Sequence, residues 1–148
     1  MITNQKLSEA LAVLAVIPPS AQAVGVVFSP WISLSEVDRI LAIIQVGTFG
    51  ALATVDASIA QAQDNKGTNA KPIGAGKAVA LAAAAGNDVQ ATIDVGSTEL
   101  DVANGYGFVQ LGVSVGVAAT ETAALILGGC ARYEPASGFN NASVVQTA

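Results

Sequence analysis

The sequence predicts an all-β fold, a jelly roll or β-sandwich with one or two short helices. Three observations predict it. Short runs rich in Val and Ile recur along the chain, and several alternate apolar with small or polar residues, the period of a half-buried strand. Gly, Asn, Asp and Pro punctuate these runs at short intervals. Only one segment has the composition of a good connecting helix, whereas a parallel βαβ fold would need one between most strands.

The elements follow in order. Residues 4–15 place Leu7, Leu11 and Leu14 at helical spacing before Pro18-Pro19-Ser20, so 1–23 is expected to be a short helix or an N-terminal arm. Residues 24–28 form an apolar run closed by Ser29-Pro30. Residues 37–49 are rich in β-branched side chains and end at Gly47 and Gly50. Over 52–63, Ala53, Val55, Ala57 and Ile59 share one face against Thr54, Asp56 and Ser58. Residues 64–69 are turn-rich. Residues 71–85 end in four alanines before Gly86, and predict the one good helix. Residues 89–95 alternate strictly. Residues 97–101 read as a short helical turn or a loop, and Asn104-Gly105 as a tight turn. Over 108–118, Val109, Leu111, Val113, Val115 and Val117 oppose Gln110, Gly112, Ser114 and Gly116. Residues 122–127 are a last apolar strand, and 138–148 a C-terminal arm. The β-sandwich domain is thus expected over 24–137, and no internal repeat is visible.

A chain of 148 residues suits one domain with a real core. It is 52% hydrophobic with a mean hydropathy of +0.56, and only 11% charged, against roughly 25% in an average domain. Such a charge-poor surface predicts a protein largely covered by partners. Histidine is absent, so the commonest proton carrier of enzymes is missing and the expectation is no enzyme. The net charge of −5 and pI near 4.3 argue against nucleic acid as a partner. Lys66, Lys71 and Lys77 stand among neutral residues and read as solvated.

The short apolar stretch 11–17 followed by Ala21-Gln22-Ala23 looks like a secretory leader, but Glu9 stands where such leaders are positive. It is also far shorter than the roughly 20 residues of a membrane span. The expectation is no membrane partner, and a protein soluble in the cell or assembled.

No motif carries chemistry on its own. Gly74-Ala75-Gly76-Lys77 lacks the first glycine of a phosphate loop and has Ala78 where the hydroxyl belongs. Asp94, Glu99 and Asp101 cluster without the dense spacing of a calcium loop, and read as solvated surface or as contacts to a partner's Arg and Lys. No metal or other cofactor is expected. Cys130, the single cysteine, reads as a small buried hydrophobe. Asn141-Ala142-Ser143 fits a glycosylation sequon without a secretory context. Trp31 is a candidate interface anchor or an ordinary core residue. Arg132 and Tyr133, at the exit from the last strand, are candidate interface residues beside it.

Several segments together resemble the capsid cement or decoration proteins found with short-tailed bacteriophages. These are the strand runs 37–47 and 55–62, the step Ala70-Lys71-Pro72-Ile73, the stretch 99–106 (ELDVANGY), and the ending 127–135 (LGGCARYEP). The resemblance spans roughly residues 24–137. It implies a jelly-roll homodimer that binds the major capsid protein on the exterior of an icosahedral virion and cross-links neighbouring subunits, after assembly in the host cytoplasm. Two other readings stay open: a head–tail connector, tail or fibre-base subunit, and a carbohydrate-binding β-sandwich module. The second would use exposed aromatics, and the chain has one Trp, two Tyr and four Phe.

Overall fold

The computed structural model describes residues 4–148. It contains nine strands: β1 (Leu11–Gln22), β2 (Gly25–Phe28), β3 (Ile32–Ser33), β4 (Val37–Val46), β5 (Thr54–Ala62), β6 (Lys71–Ala82), β7 (Val89–Gly96), β8 (Phe108–Gly116) and β9 (Thr120–Ala131). A front sheet has the order β1-β9-β4-β7 and a back sheet the order β2-β8-β5-β6, with β3 extending the β2 edge along β8.

The pairing explains the topology. β5 pairs β6, β4 pairs β7, β2 pairs β8 and β1 pairs β9, all antiparallel. These are the nested rungs of one long hairpin. Folding it so that successive rungs fall in alternate sheets brings β9 beside β4 and β8 beside β5. That is the jelly roll, two Greek keys closing a sandwich. The core lies between the sheets. Ile40, Ile44, Val95 and Ile126 on the front face Val55, Ile59, Leu111 and Val113 on the back, all within 1% of full burial. Each such side chain contributes about 1.5–3 kcal/mol by leaving water.

Four expectations are corrected. The N-terminal helix shrinks to α1 (Leu7–Ala10), and 11–22 is not an arm but β1, so the sandwich starts well before residue 24. Leucine spacing favoured a helix locally, but pairing with the apolar run of β9 won. Pro18 and Pro19 are tolerated because β1 is an edge strand, and the register shifts between Ile17 and Ser20. The expected helix over 71–85 is strand β6, followed by a 3-10 turn, Ala83–Ala85. Gly74 and Gly76 have φ of 55° and 110°, outside the helical region, and Val79 and Leu81 turn inward to pack on the core. Alanine's helix preference is worth well under 1 kcal/mol per residue over most others, and cross-strand burial exceeds it.

Cys130 is exposed. Strand alternation would aim it inward after Gly128, but its φ of 52° turns the backbone outward. Val117 leaves its row for the same reason. The strand ends at Gly116, and Val117 at φ 71° is 67% exposed. The C-terminal segment is fastened where it begins. Val13 N–H donates to Asn140 Oδ1 at 2.8 Å, and Asn141 N–H donates to the Val13 carbonyl at 2.6 Å.

Candidate functional site

The topology gathers the turns into two opposite ends. At one end, the apex, lie the β1–β2, β4–β5, β6–β7 and β8–β9 connections, residues 23–24, 47–53, 83–88 and 117–119. Asp88 is the one charged residue among them. At the other end, the base, lie the connections over 29–36, 63–70 and 97–107 and the exit from β9. There stand Glu36, Asp64, Lys66, Glu99, Asp101, Arg132 and Glu134.

The apex is rigid and apolar. Phe49 N–H donates to Asn87 Oδ1 at 3.0 Å, Gly50 N–H to Thr120 Oγ1 at 3.1 Å, and Asp88 N–H to the Gly47 carbonyl at 2.9 Å. Glycine is required at position 50, since a Cβ there would lie 2.4 Å from the Ala119 carbonyl. Over this scaffold stand Leu52, 83% exposed, Val117 and Val24. Leu52 and Val117 sit at φ 56° and 71°, a region that costs non-glycine residues about 1–3 kcal/mol each. A β-branched residue there is a genuine outlier. The fold thus carries strain at the same two positions where it displays large aliphatic side chains to water.

The base is a hydrogen-bonded polar network. Lys71 Nζ bonds Asp101 Oδ2 at 2.5 Å and lies 4.2 Å from the Tyr106 ring centroid. Asn104 Nδ2 donates to both Asp101 oxygens at 2.9 Å. The Lys71 ammonium, then Asn104, hold the Asp101 carboxyl below its ordinary range. Lys77, then the Gly96 N–H, do the same for Glu99. Thr68 lowers Asp64, which caps the 64–68 turn. These carboxylates are committed to partners within the chain. Among the described residues, no group of three or more His, Cys, Asp or Glu is arranged to hold a metal ion. Nor is any helix there long and apolar enough to cross a membrane.

The three candidate interface residues all lie toward the base. Trp31 is half-buried, its indole against Gly67, where a Cβ would come within 2.9 Å of Nε1. Arg132 is exposed, held through its backbone N–H to the Glu36 carbonyl at 2.8 Å. It borders a groove with Ser33, Leu34, Leu100 and Phe108 that neither Trp31 nor Tyr133 lines. Tyr133 is 70% exposed. Sequence reasoning missed Leu52 and Val117. The available signal was an aliphatic residue set among Gly and Ala in a turn, at Gly50-Ala51-Leu52 and Gly116-Val117-Ala118.

No protein-family model matches the chain, and no curated protein does. Solved structures are similar in fold, and β-sandwich types are among them. A carbohydrate-binding module in complex with β-1,4-galactotriose is 9% identical, with a TM-score of 0.35 over 72% of this chain and 67% of that one. A protein of Bacillus endospore appendages, described as disulfide-linked pili, is 12% identical, with a TM-score of 0.36 over 87% and 98%. A chain of infectious bursal disease virus, Gx strain, is 12% identical, with a TM-score of 0.39; 86% of this chain matches 33% of that one. These likenesses concern the fold alone.

Proposed function

We propose that the protein is a structural virion component, a capsid cement or decoration protein. On this reading it binds the major capsid protein on the outside of the head and resists separation of neighbouring subunits. It acts by binding, not catalysis, and uses no cofactor. The observation that carries the reading is the apex: rigid, nearly uncharged, and strained at Leu52 and Val117, which are presented to water. Strain of this kind persists where the surrounding structure over-determines it, and it concentrates at functional surfaces. Exposed aliphatics on a rigid support lose little entropy on docking. A bound copy adds free energy that must be lost before capsid subunits part.

The test is to make particles with Leu52→Asp and Val117→Asp variants and measure shell occupancy. Wild-type protein is expected in proportion to the major capsid protein. The variants, folded by circular dichroism, are expected to lose occupancy by ~30-fold or more, the effect of removing a hot spot. Unchanged occupancy removes the apex from the contact. Only one ring's worth of copies per particle would assign the protein to a connector instead.

A further inference from the structure

The outer face of the front sheet is apolar. β4, β9 and β1 each carry an uninterrupted apolar run, Ile40–Ile44, 123–127 and 11–17. An antiparallel strand with one solvated face alternates, and a continuous run marks a strand covered on both faces. Register aligns the outward residues in two rows: Val16, Leu125 and Ile43, then Val13, Leu127 and Leu41. All six are only partly exposed, yet none packs against the core cluster. Val13 and Leu127 also line a groove with Leu7 and Val144 of the terminal segments. Gln90, Thr92 and Asp94 of β7 form a polar rim on one side, and Val144 and Thr147 of the C-terminal segment border the other.

We propose that this face is the contact surface between two copies of the chain, packed sheet to sheet about a two-fold axis. Three features favour a second copy over a foreign partner. The face is self-complementary: a two-fold axis across the strands sets the central Val16–Leu125–Ile43 row of one copy on the same row of the other. Its charges are paired by the same operation. Arg39 lies four residues before Ile43 on β4, and Glu121 four residues before Leu125 on the antiparallel β9, so they sit at equal distances on opposite sides of the Ile43–Leu125 row. An axis lying between the sheets, across the strands at that row, brings each Arg39 to the other copy's Glu121. Among the described residues neither takes part in an ion pair, and the Glu121 carboxylate accepts only the Thr48 N–H at 3.3 Å. Finally, four strands at ~4.8 Å and ten residues at ~3.3 Å give ~600 Å² of flat face, close to the ~800 Å² per partner of a standard interface. A membrane surface would want several cations, and Arg39 is the one on this face. The inference deepens the cross-linking role proposed above by joining two capsid-binding apices in one particle. It is tested on isolated protein, so its failure is separate from that of the virion reading.

The experiment is sedimentation equilibrium of the purified full chain over the micromolar range. A dimer is expected. Leu125→Asp is expected to give folded monomer. Arg39→Glu is expected to weaken the dimer by ~10-fold or more, and the swap Arg39→Glu with Glu121→Arg to restore it. The swap guards against misfolding, because both residues are exposed. A wild-type chain that stays monomeric throughout the range overturns the proposal. So does a dimer indifferent to Leu125→Asp and to Arg39→Glu.

Discussion

On the outer face of the back sheet, β8 presents Gln110, Gly112, Ser114 and Gly116, whereas on the outer face of the front sheet β9 presents Ala123, Leu125 and Leu127. β5 and β6 likewise show Asp56, Ser58, Ala78 and Ala80, and only the short edge strand β2 adds large apolar side chains there, Val26 and Phe28, while on the front β4 shows Leu41 and Ile43. The inner faces are alike and form one core. The contrast teaches that alternation and continuity in a strand's sequence report how many of its faces find cover. In a two-layer sandwich one cover is internal. A second must come from outside the domain.

The largest effect that tests this contrast comes from adjacent residues of one strand. Ile126, 1% exposed, belongs to the core; Leu125 points the other way and does not pack on it. Ile126→Ala is expected to cost ~2–5 kcal/mol of unfolding free energy. Leu125→Ala, measured by urea denaturation at a dilution that keeps the chain monomeric, is expected to cost less than ~1 kcal/mol. Equal costs would mean that the outer face is covered within the monomer, and the distinction between the sheets would collapse.

Mid-strand glycines give a smaller difference. At Gly128 an added Cβ would lie 2.7 Å from Leu14 Cδ1 and 3.0 Å from Val37 Cγ1, inside the sandwich. Gly128→Ala is expected to destabilise by ~1–3 kcal/mol through overpacking. At Gly112 the nearest atoms, at 3.0 and 3.2 Å, belong to the ring of Phe28, which is 60% exposed and free to swing. There the gain in strand preference of alanine over glycine offsets the contact, and the variant is expected to lie within ~0.5 kcal/mol of wild type. Thermal melts of both variants check this. A large loss at Gly112 would show that Phe28 is a fixed part of the back face.

The same contrast separates what was legible in the sequence from what was not. β8 was readable because Val109, Leu111, Val113 and Val115 alternate with small residues. β4 was readable through its β-branched side chains. β1 and β6 were misread because leucine spacing and an alanine run are local helix signals; the partner of β1 lies far away in sequence, where Val13 pairs Leu127, and the pairing of β6 with the adjacent β5 is interrupted by a register shift that hides its alternation. The left-handed residues Val117 and Cys130 follow no pattern: Val117 breaks the row it was assigned to, and Cys130 is exposed where burial was expected. The apex was invisible for a different reason. Its loops become neighbours only once the nested pairing places the ends of β1, β4, β6 and β8 together.

The smallest effect concerns the open edge where β6 of the back sheet faces β7 of the front. Lys77 Nζ pairs Glu99 Oε2 at 2.6 Å and donates to the Asp94 carbonyl at 3.0 Å, and Lys71 ties the same strand to Asp101. Both carboxyls are held below their ordinary range by these lysines. As the pH falls below ~4, the ordinary carboxylate value, the unfolded chain takes up protons more readily than the folded one. The stabilisation is therefore complete above that value and is lost as the pH falls through the depressed folded values. Lys71, raised chiefly by its hydrogen bond to Asp101, behaves oppositely, losing its share only as the pH rises past the ordinary lysine range. Both pairs are partly exposed, so the effect is modest and shrinks with added salt. Hydrogen-exchange protection read at pH 3 and pH 6 is expected to fall in β6 while β9, whose outward residues from Ala123 to Leu127 are uncharged, keeps its protection. Equal loss in the two strands would mean that acid acts on the sandwich as a whole, and that the lysine ties at the β6 edge hold nothing in place.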